Sequence, residues 1–420
     1  MIQTFRLENG AQAILEPHEH TGALSIGLWV LSGSRDEPEK QQGYTHFLEH
    51  MLFKGTRNRS AYQIAQQIER VGGYLNAFSE KELTAFYCTL PSEHTPLAVE
   101  ILTDMFQNSL LAIDELEKEK QVVINEIKTI EDTPEEKGHE LFLRSMWDGH
   151  PLARRISGEE EHVAAITRED LAAFLAERFT PSNLVVSAAG NMDIPRLLDQ
   201  LNRSLRVPSA GGGYQPVRVP PRRTKSWKSL PDKFNQVNLF TGLSYQPSGR
   251  LEDYYSELVF STLFGESMSS RLFQSLRENE GLCYSVYSFR TYYSDTALWT
   301  VYANTEPDQA ERLLATLNEE FSRLHREPPH EQEVKDAQGQ LRGNIILARE
   351  DMETRMKRIL RQYVITGRVL EQEESLQVLN SVTRDDVEAV VERMIQPDNF
   401  NLLAYGSRSI AKTRLPRYDF

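Results

Sequence analysis

Residues 166–190 read ITREDLAAFLAERFTPSNLVVSAAG, and residues 382–406 read VTRDDVEAVVERMIQPDNFNLLAYG. They align without a gap at an offset of 216 residues. Thr167/Thr383, Arg168/Arg384, Asp170/Asp386, Ala173/Ala389, Pro181/Pro397, Asn183/Asn399, Ala188/Ala404 and Gly190/Gly406 are identical pairs. Each copy reads as a helix followed by a strand. A threonine N-cap opens it, with an acid two residues on (Glu169, Asp385) favoured by the helix dipole. A proline ends the helix, and a short apolar strand runs to the glycine. A unit written twice predicts two homologous halves.

Working outward, the segment between the copies, 207–226, is VPSAGGGYQPVRVPPRRTKS. Its glycine triplet and four prolines mark a linker. The reading is a first half over 1–208, a linker over 209–225 and a second half over 226–420. Strands are expected at 12–16, 22–32, 74–79 and 84–90, then at 236–243, 285–293 and 297–301. Helices are expected at 60–71, 95–107, 114–131, 307–325 and 330–356. The fold class is α+β: two pseudo-repeated α/β-sandwich halves, each a mostly antiparallel sheet with helices packed on it.

Composition narrows the function. The chain has 420 residues, 40% hydrophobic and 26% charged, as in a soluble globular protein. Asp plus Glu is 61 against 47 for Lys plus Arg, a net charge of −14. That balance lacks the basic footprint of a nucleic-acid binder. Two cysteines, Cys88 and Cys283, exclude a disulfide framework and fit a reducing compartment. The N-terminus shows no secretory signal, and the longest near-apolar stretch, 23–31, is too short to span a membrane. A cytoplasmic location is expected.

The chemistry lies in residues 43–56, GYTHFLEHMLFKGT. His46 and His50 are four residues apart, so on an α-helix both imidazoles leave one face. That spacing suits two ligands on one Zn²⁺. Glu49, between them, can touch a metal-bound water without being a ligand. The pattern is H-x-x-E-H, the reversal of the H-E-x-x-H zinc motif. A third ligand is needed, and Glu126 is the best candidate. On the helix expected at 114–131, Glu119 and Glu126 lie within roughly 20° of each other, at about 100° per residue. Both sit amid Leu116, Val122, Val123 and Ile130, and a buried unpaired carboxylate is costly. A metal on His46, His50 and Glu126 would answer that, with Glu119 orienting a ligand. Arginines meeting the two acids, and histidines on a plain helix surface, remain the alternative at this point.

These residues closely resemble the pitrilysin/insulinase family of inverted-motif zinc peptidases. The nearest likeness is its short branch of mitochondrial processing peptidase β-subunits and bacterial processing-peptidase-like enzymes. His50 to Glu126 is 76 residues and Glu119 to Glu126 is seven, as in the family. HFLEHMLFKGT, GGYLNAF, VVINEI and EDTPEE also look like it, and the resemblance covers essentially the whole chain. It implies His46, His50 and Glu126 as ligands of one zinc per chain, Glu49 as general base and Glu119 as the supporting acid. It implies Arg277 and Tyr284 as substrate contacts near the scissile carbonyl. Asn76, Ala77 and Phe78 match a substrate-binding edge strand. Glu257, Phe260 and Ser261 fall roughly where the first half has His46, Glu49 and His50, so the second half carries no metal motif. The implied activity is zinc-dependent endopeptide hydrolysis of peptides or unfolded segments inside a clamshell chamber. A homodimer is favoured, Arg277 and Tyr284 acting in trans, with a heterodimer with a paralogue the alternative. A precursor-processing peptidase and a non-catalytic partner subunit are the rival functions.

Overall fold

The computed structural model describes residues 1–206 and 214–420. Of the expected linker, 209–213 lies outside the described residues. Eleven strands are described: β1 Gln3–Arg6, β2 Gln12–Pro17, β3 Ala23–Val30, β4 Tyr74–Ser79, β5 Thr84–Pro91, β6 Leu184–Gly190, β7 Trp227–Pro231, β8 Val237–Tyr245, β9 Val286–Tyr292, β10 Ala297–Thr305 and β11 Asn401–Gly406. They form a six-stranded sheet, β1-β2-β6-β3-β5-β4, and a five-stranded sheet, β7-β11-β8-β10-β9. The fold is α+β, with each sheet mostly antiparallel. The single parallel neighbours are β2 with β6 and β11 with β7.

The internal repeat places the same parts in both sheets. Thr167 and Thr383 cap helices Arg168–Arg178 and Arg384–Met394, each hydroxyl accepting the amide of Asp170 or Asp386 at 3.2 Å. Those aspartates, and not the acids one residue earlier, close the caps by accepting the threonine hydroxyls at 2.6 Å. Each helix then leads through a one-turn proline segment into β6 or β11. Gly190 and Gly406 end these strands with φ of +129° and +131°. A Cβ there would stand 2.3 Å from the Ala23 carbonyl oxygen or 2.2 Å from that of Gln236. Only glycine fits both the dihedral and the space.

The chain divides into two compact units: Met1–Thr129 with Arg154–Arg218 and Ala348–Glu371, and Ile130–Ala153 with Val219–Leu347 and Gln372–Phe420. Each unit therefore takes a segment from the other half of the sequence. In the first unit, one face of the sheet is covered by Phe47, Leu48 and Met51, packed in a core with Leu28, Phe86 and Val186. Its other face, with Ile14, Trp29 and Val185, is covered by Met356, Ile359 and Leu360. In the second unit, Phe260, Phe264 and Phe321 pack with Trp299 on one face. Phe142 and Met146, from helix Pro134–Met146, pack with Phe240, Tyr302 and Tyr405 on the other.

That exchange corrects one expected element. The helix expected at 330–356 is two helices, Glu331–Leu347 and Met352–Thr366, and they belong to different units. Asp351 makes the break: its carboxylate accepts the Glu353 amide at 2.9 Å and the Thr354 hydroxyl at 2.6 Å. Aspartate offers the backbone this N-cap in place of a continued ladder. Among the described residues no helix is long and apolar enough to cross a membrane.

Candidate metal centre

Helix Tyr44–Leu52 buries Phe47, Leu48, Met51 and Leu52 in the first core. The remaining stripe carries His46, Glu49 and His50, each largely but not fully buried, the two histidine side chains 12% and 22% exposed. Helix Ile113–Asp132 is fixed in turn by Leu116, Val123 and Ile127. It brings Glu119 and Glu126 to the two histidines. His46 Nε2 lies 3.6 Å from Glu126 Oε1, and His50 Nε2 lies 3.6 Å from Glu126 Oε2. One donor atom from each of His46, His50 and Glu126 falls within 4.8 Å of the others. Tetrahedral zinc with bonds near 2.0–2.2 Å separates its ligands by about 3.4 Å. The donor set, two imidazoles and a carboxylate, therefore fits such an ion in both chemistry and spacing.

The surroundings prepare each donor. His50 Nδ1 lies 3.1 Å from Glu119 Oε2, which directs Nε2 towards Glu126. Glu119 is buried, and Lys54 Nζ sits 2.5 Å from its other oxygen. The alternative partners, arginines, are not among the contacts of the two acids with the described residues: a histidine and a lysine serve Glu119, and the two histidines face Glu126. Burial, followed by the charge of His50, pushes His46 down to about 4, so its ring is neutral at pH 7. His46 Nδ1 is buried with no hydrogen-bond partner among the described residues. A neutral imidazole is the form that binds metal.

Glu49 lies in the same helix. Its oxygen Oε2 accepts a hydrogen bond from the Ser79 hydroxyl at 2.5 Å. Burial raises its pKa, assisted by the charge of Glu126 and opposed by Ser79 and His50. A carboxylate with a raised pKa beside a candidate metal is suited to proton transfer.

Asn76, Ala77 and Phe78 lie on β4, the last strand of the six-stranded sheet, which pairs with β5. Alternation puts Leu75 and Ala77 against the core on the metal-helix side, with Ser79 reaching Glu49 there. Phe78 packs on the opposite face, its ring 5.5 Å from Trp29.

Arg277 and Tyr284 are in the second unit and meet each other. The Arg277 guanidinium stands 4.8 Å from the Tyr284 ring centre and 4.7 Å from that of Phe273. Tyr284 is 74% exposed, so its hydroxyl is open to a ligand.

The counterpart of the metal helix in the second half is Leu251–Ser261. Glu257 there accepts hydrogen bonds from Tyr245 at 2.7 Å, Tyr292 at 2.6 Å and Arg393 at 2.6 Å. Phe260 stacks on Phe264, and the Ser261 hydroxyl lies 3.2 Å from that of Ser288. These positions are committed to packing and internal hydrogen bonds.

A family model described as Insulinase (Peptidase family M16) matches residues 13–160, and one described as Peptidase M16 inactive domain matches residues 165–341. An uncharacterized zinc protease of Bacillus subtilis (strain 168) is 33% identical over 398 residues, spanning 95% of this chain and 97% of that one. The chain belongs to peptidase family M16. An uncharacterized zinc protease of Mycobacterium leprae is 34% identical over 415 residues, spanning 98% and 93% of the two chains. In fold, this M16 chain matches a peptidase M16 inactive domain from Pseudomonas fluorescens at a TM-score of 0.88 and 18% identity, over 97% and 98% of the chains. It matches a protease from Helicobacter pylori at a TM-score of 0.87 and 17% identity, over 97% and 99%. The short, two-domain form of the family is thus the form of this chain. The inactive-domain match begins with the first copy of the repeat and covers the helix of Glu257.

Three residues at the M16 site escape motif reading. Ser79 follows the NAF triplet as an ordinary strand residue. Lys54 is an i+4 neighbour of His50 in a turn. Glu37 lies in an irregular loop, yet its carboxylate accepts the amides of Gly43 and Thr45 at 2.8 and 2.7 Å, at the start of the metal helix. Gly43 has φ +89°, and a side chain there would strike the Ser157 carbonyl at 2.6 Å. The helix therefore cannot carry its own capping side chain, and a carboxylate from upstream supplies the acceptor.

Proposed function

We propose that this chain is a zinc metalloendopeptidase, hydrolysing peptides or unfolded polypeptide segments. The observation that carries the reading is the convergence of His46, His50 and Glu126, with Glu49 on the same helix as the histidines. These three hold one zinc per chain. Zinc bound there supplies a Lewis acid and lowers the pKa of water towards neutrality.

The protein's own groups do the rest. Glu49 takes a proton from the attacking water as its oxygen bonds to the scissile carbonyl carbon. It returns that proton to the amide nitrogen as the C–N bond breaks. Glu119 holds His50 in the tautomer that leaves Nε2 unprotonated. Arg277 and Tyr284 donate to the carbonyl oxygen as charge develops on it. The β4 edge, at Asn76–Phe78, takes the substrate as an added strand through main-chain hydrogen bonds. The assembly is a homodimer in which the partner chain presents Arg277 and Tyr284.

Glu49→Gln tests the reaction. The variant keeps its zinc and loses turnover by roughly 10²–10⁴-fold. A zinc-loaded variant with full turnover removes Glu49 from the mechanism, and a wild-type chain without zinc supports a non-catalytic subunit instead. Sharing in trans is tested by mixing Glu49→Gln with Arg277→Ala chains. Recovery of activity above either alone is expected, and none at all argues against it.

A further inference from the structure

The Ser79 hydroxyl lies 2.5 Å from one oxygen of Glu49. It is the last residue of β4, directly after Asn76, Ala77 and Phe78. Because side chains alternate along a strand, Leu75 and Ala77 face the same core as the metal helix, and Ser79 continues that face. The strand proposed to receive substrate thus also holds the proposed base. Glu49 has three side-chain torsions and is only partly buried, so without a partner its carboxylate samples several rotamers. β4 is an edge strand paired to β5 on one side, and backbone hydrogen bonds at such an edge open more readily than those inside a sheet. A peptide pairing along the open edge would fix the strand, and with it the hydroxyl.

Resting on the peptidase reading above, we propose that Ser79 is a positioning residue that couples substrate length to catalysis. A peptide long enough to pair along β4 holds Ser79, and Ser79 holds Glu49 aimed at the attacking water. Binding made remotely is thereby converted into orientation at the reacting atoms, so longer substrates gain in kcat and not only in KM. The hydroxyl donates and Glu49 accepts; no covalent step involves Ser79.

The test uses one cleavable peptide lengthened a residue at a time, with kcat and KM measured separately for wild type, Ser79→Ala and Ser79→Thr. Zinc affinity and peptide binding to the zinc-free protein are measured beside them. In wild type kcat is expected to rise with length. In Ser79→Ala kcat loses that dependence and falls roughly 10–100-fold on the longest peptide. KM, zinc affinity and zinc-free peptide binding stay unchanged, and Ser79→Thr, which keeps the hydroxyl on a strand-favouring side chain, restores both kcat and its rise. Ser79→Ala with an undiminished, length-dependent kcat overturns the coupling and leaves the peptidase reading standing. So does an equal loss at every length, which makes Ser79 structural. A wild-type protein that cleaves none of the peptides refutes the peptidase reading, and the coupling with it.

Discussion

Glu119→Gln isolates the support beneath the metal site. Glu119 is 4% exposed and makes two contacts: His50 Nδ1 at 3.1 Å and Lys54 Nζ at 2.5 Å. Glutamine keeps the volume and removes the charge. Its carbonyl oxygen can accept from only one partner in the original geometry, because its NH₂ group faces the other. If the oxygen stays on His50, the amide hydrogens confront the Lys54 ammonium. Lys54, with a side chain 31% exposed, can turn to solvent. A charge-assisted bond of about 1.5–3 kcal/mol then becomes a neutral one of about 0.5–1.5 kcal/mol. The His50 ring also becomes a poorer donor to the metal. A loss of about 1.4–2.8 kcal/mol corresponds to roughly 10–100-fold in zinc affinity at about 1.4 kcal/mol per decade, the range seen when such outer partners of metal-bound histidines are removed. The assay is competition against a chromophoric chelator at fixed pH and salt, with a thermal melt of the metal-free protein as control. Zinc affinity equal to wild type in a folded Glu119→Gln would refute the reasoning. It would mean that Glu119 pairs with Lys54 alone.

Further expectations follow from the same contacts. Burial pushes Glu37 up to about 7 from an ordinary 4.5, despite amide hydrogen bonds that favour its charged form. The folded protein therefore holds this proton more tightly than the unfolded one, so the contribution to stability is full below pH 4.5 and is lost as pH rises through about 7. Urea titrations of the metal-free protein should show that decline in wild type, on the order of 3 kcal/mol, and a flatter profile in Glu37→Gln; parallel profiles contradict it. Gly190→Ala forces a Cβ into the Ala23 carbonyl at φ +129° and should destabilise the first unit by about 2–5 kcal/mol, read as a lower Tm. Asp351→Ala removes the acceptor of the Glu353 amide and should lower stability by about 1 kcal/mol; a change within error would show that the helix break does not depend on the cap.

The sequence made the repeat legible because its signals are local. Cap threonine, helix-ending proline and strand-closing glycine each dictate backbone geometry within a few residues. The candidate metal set was legible for a related reason: H-x-x-E-H fixes two donors by helical period, and Glu119 and Glu126 stood out as charges on an expected apolar stripe, of which Glu119 is buried while Val122 and the Glu126 side chain are 47% and 43% exposed. The remaining features depend on contacts between distant segments. Helix Pro134–Met146 and helix Met352–Thr366 each pack on the sheet of the other half, and neither sequence carries a local mark of that exchange. Asp351 could have been read as a cap, but the apolar period continues through 345–360 and hides it. Glu37 and Ser79 act through single oxygens set by tertiary packing, and an isolated acid in a loop or a serine at a strand end has no period to betray it. Arg277 and Tyr284 were legible only through the family resemblance, since an exposed tyrosine beside a surface arginine carries no spacing rule.

The most direct measurement is the zinc content of the purified chain beside that of Glu126→Ala, determined by mass spectrometry of the metal after dialysis against a weak chelator. Glu126 shares no local segment with His46 and His50, so its loss tests the convergence itself. Near one zinc per wild-type chain, and near none in a folded Glu126→Ala, is the expected result. A wild-type chain free of zinc, or a variant that retains it at wild-type level, would contradict a three-residue centre built from the two helices.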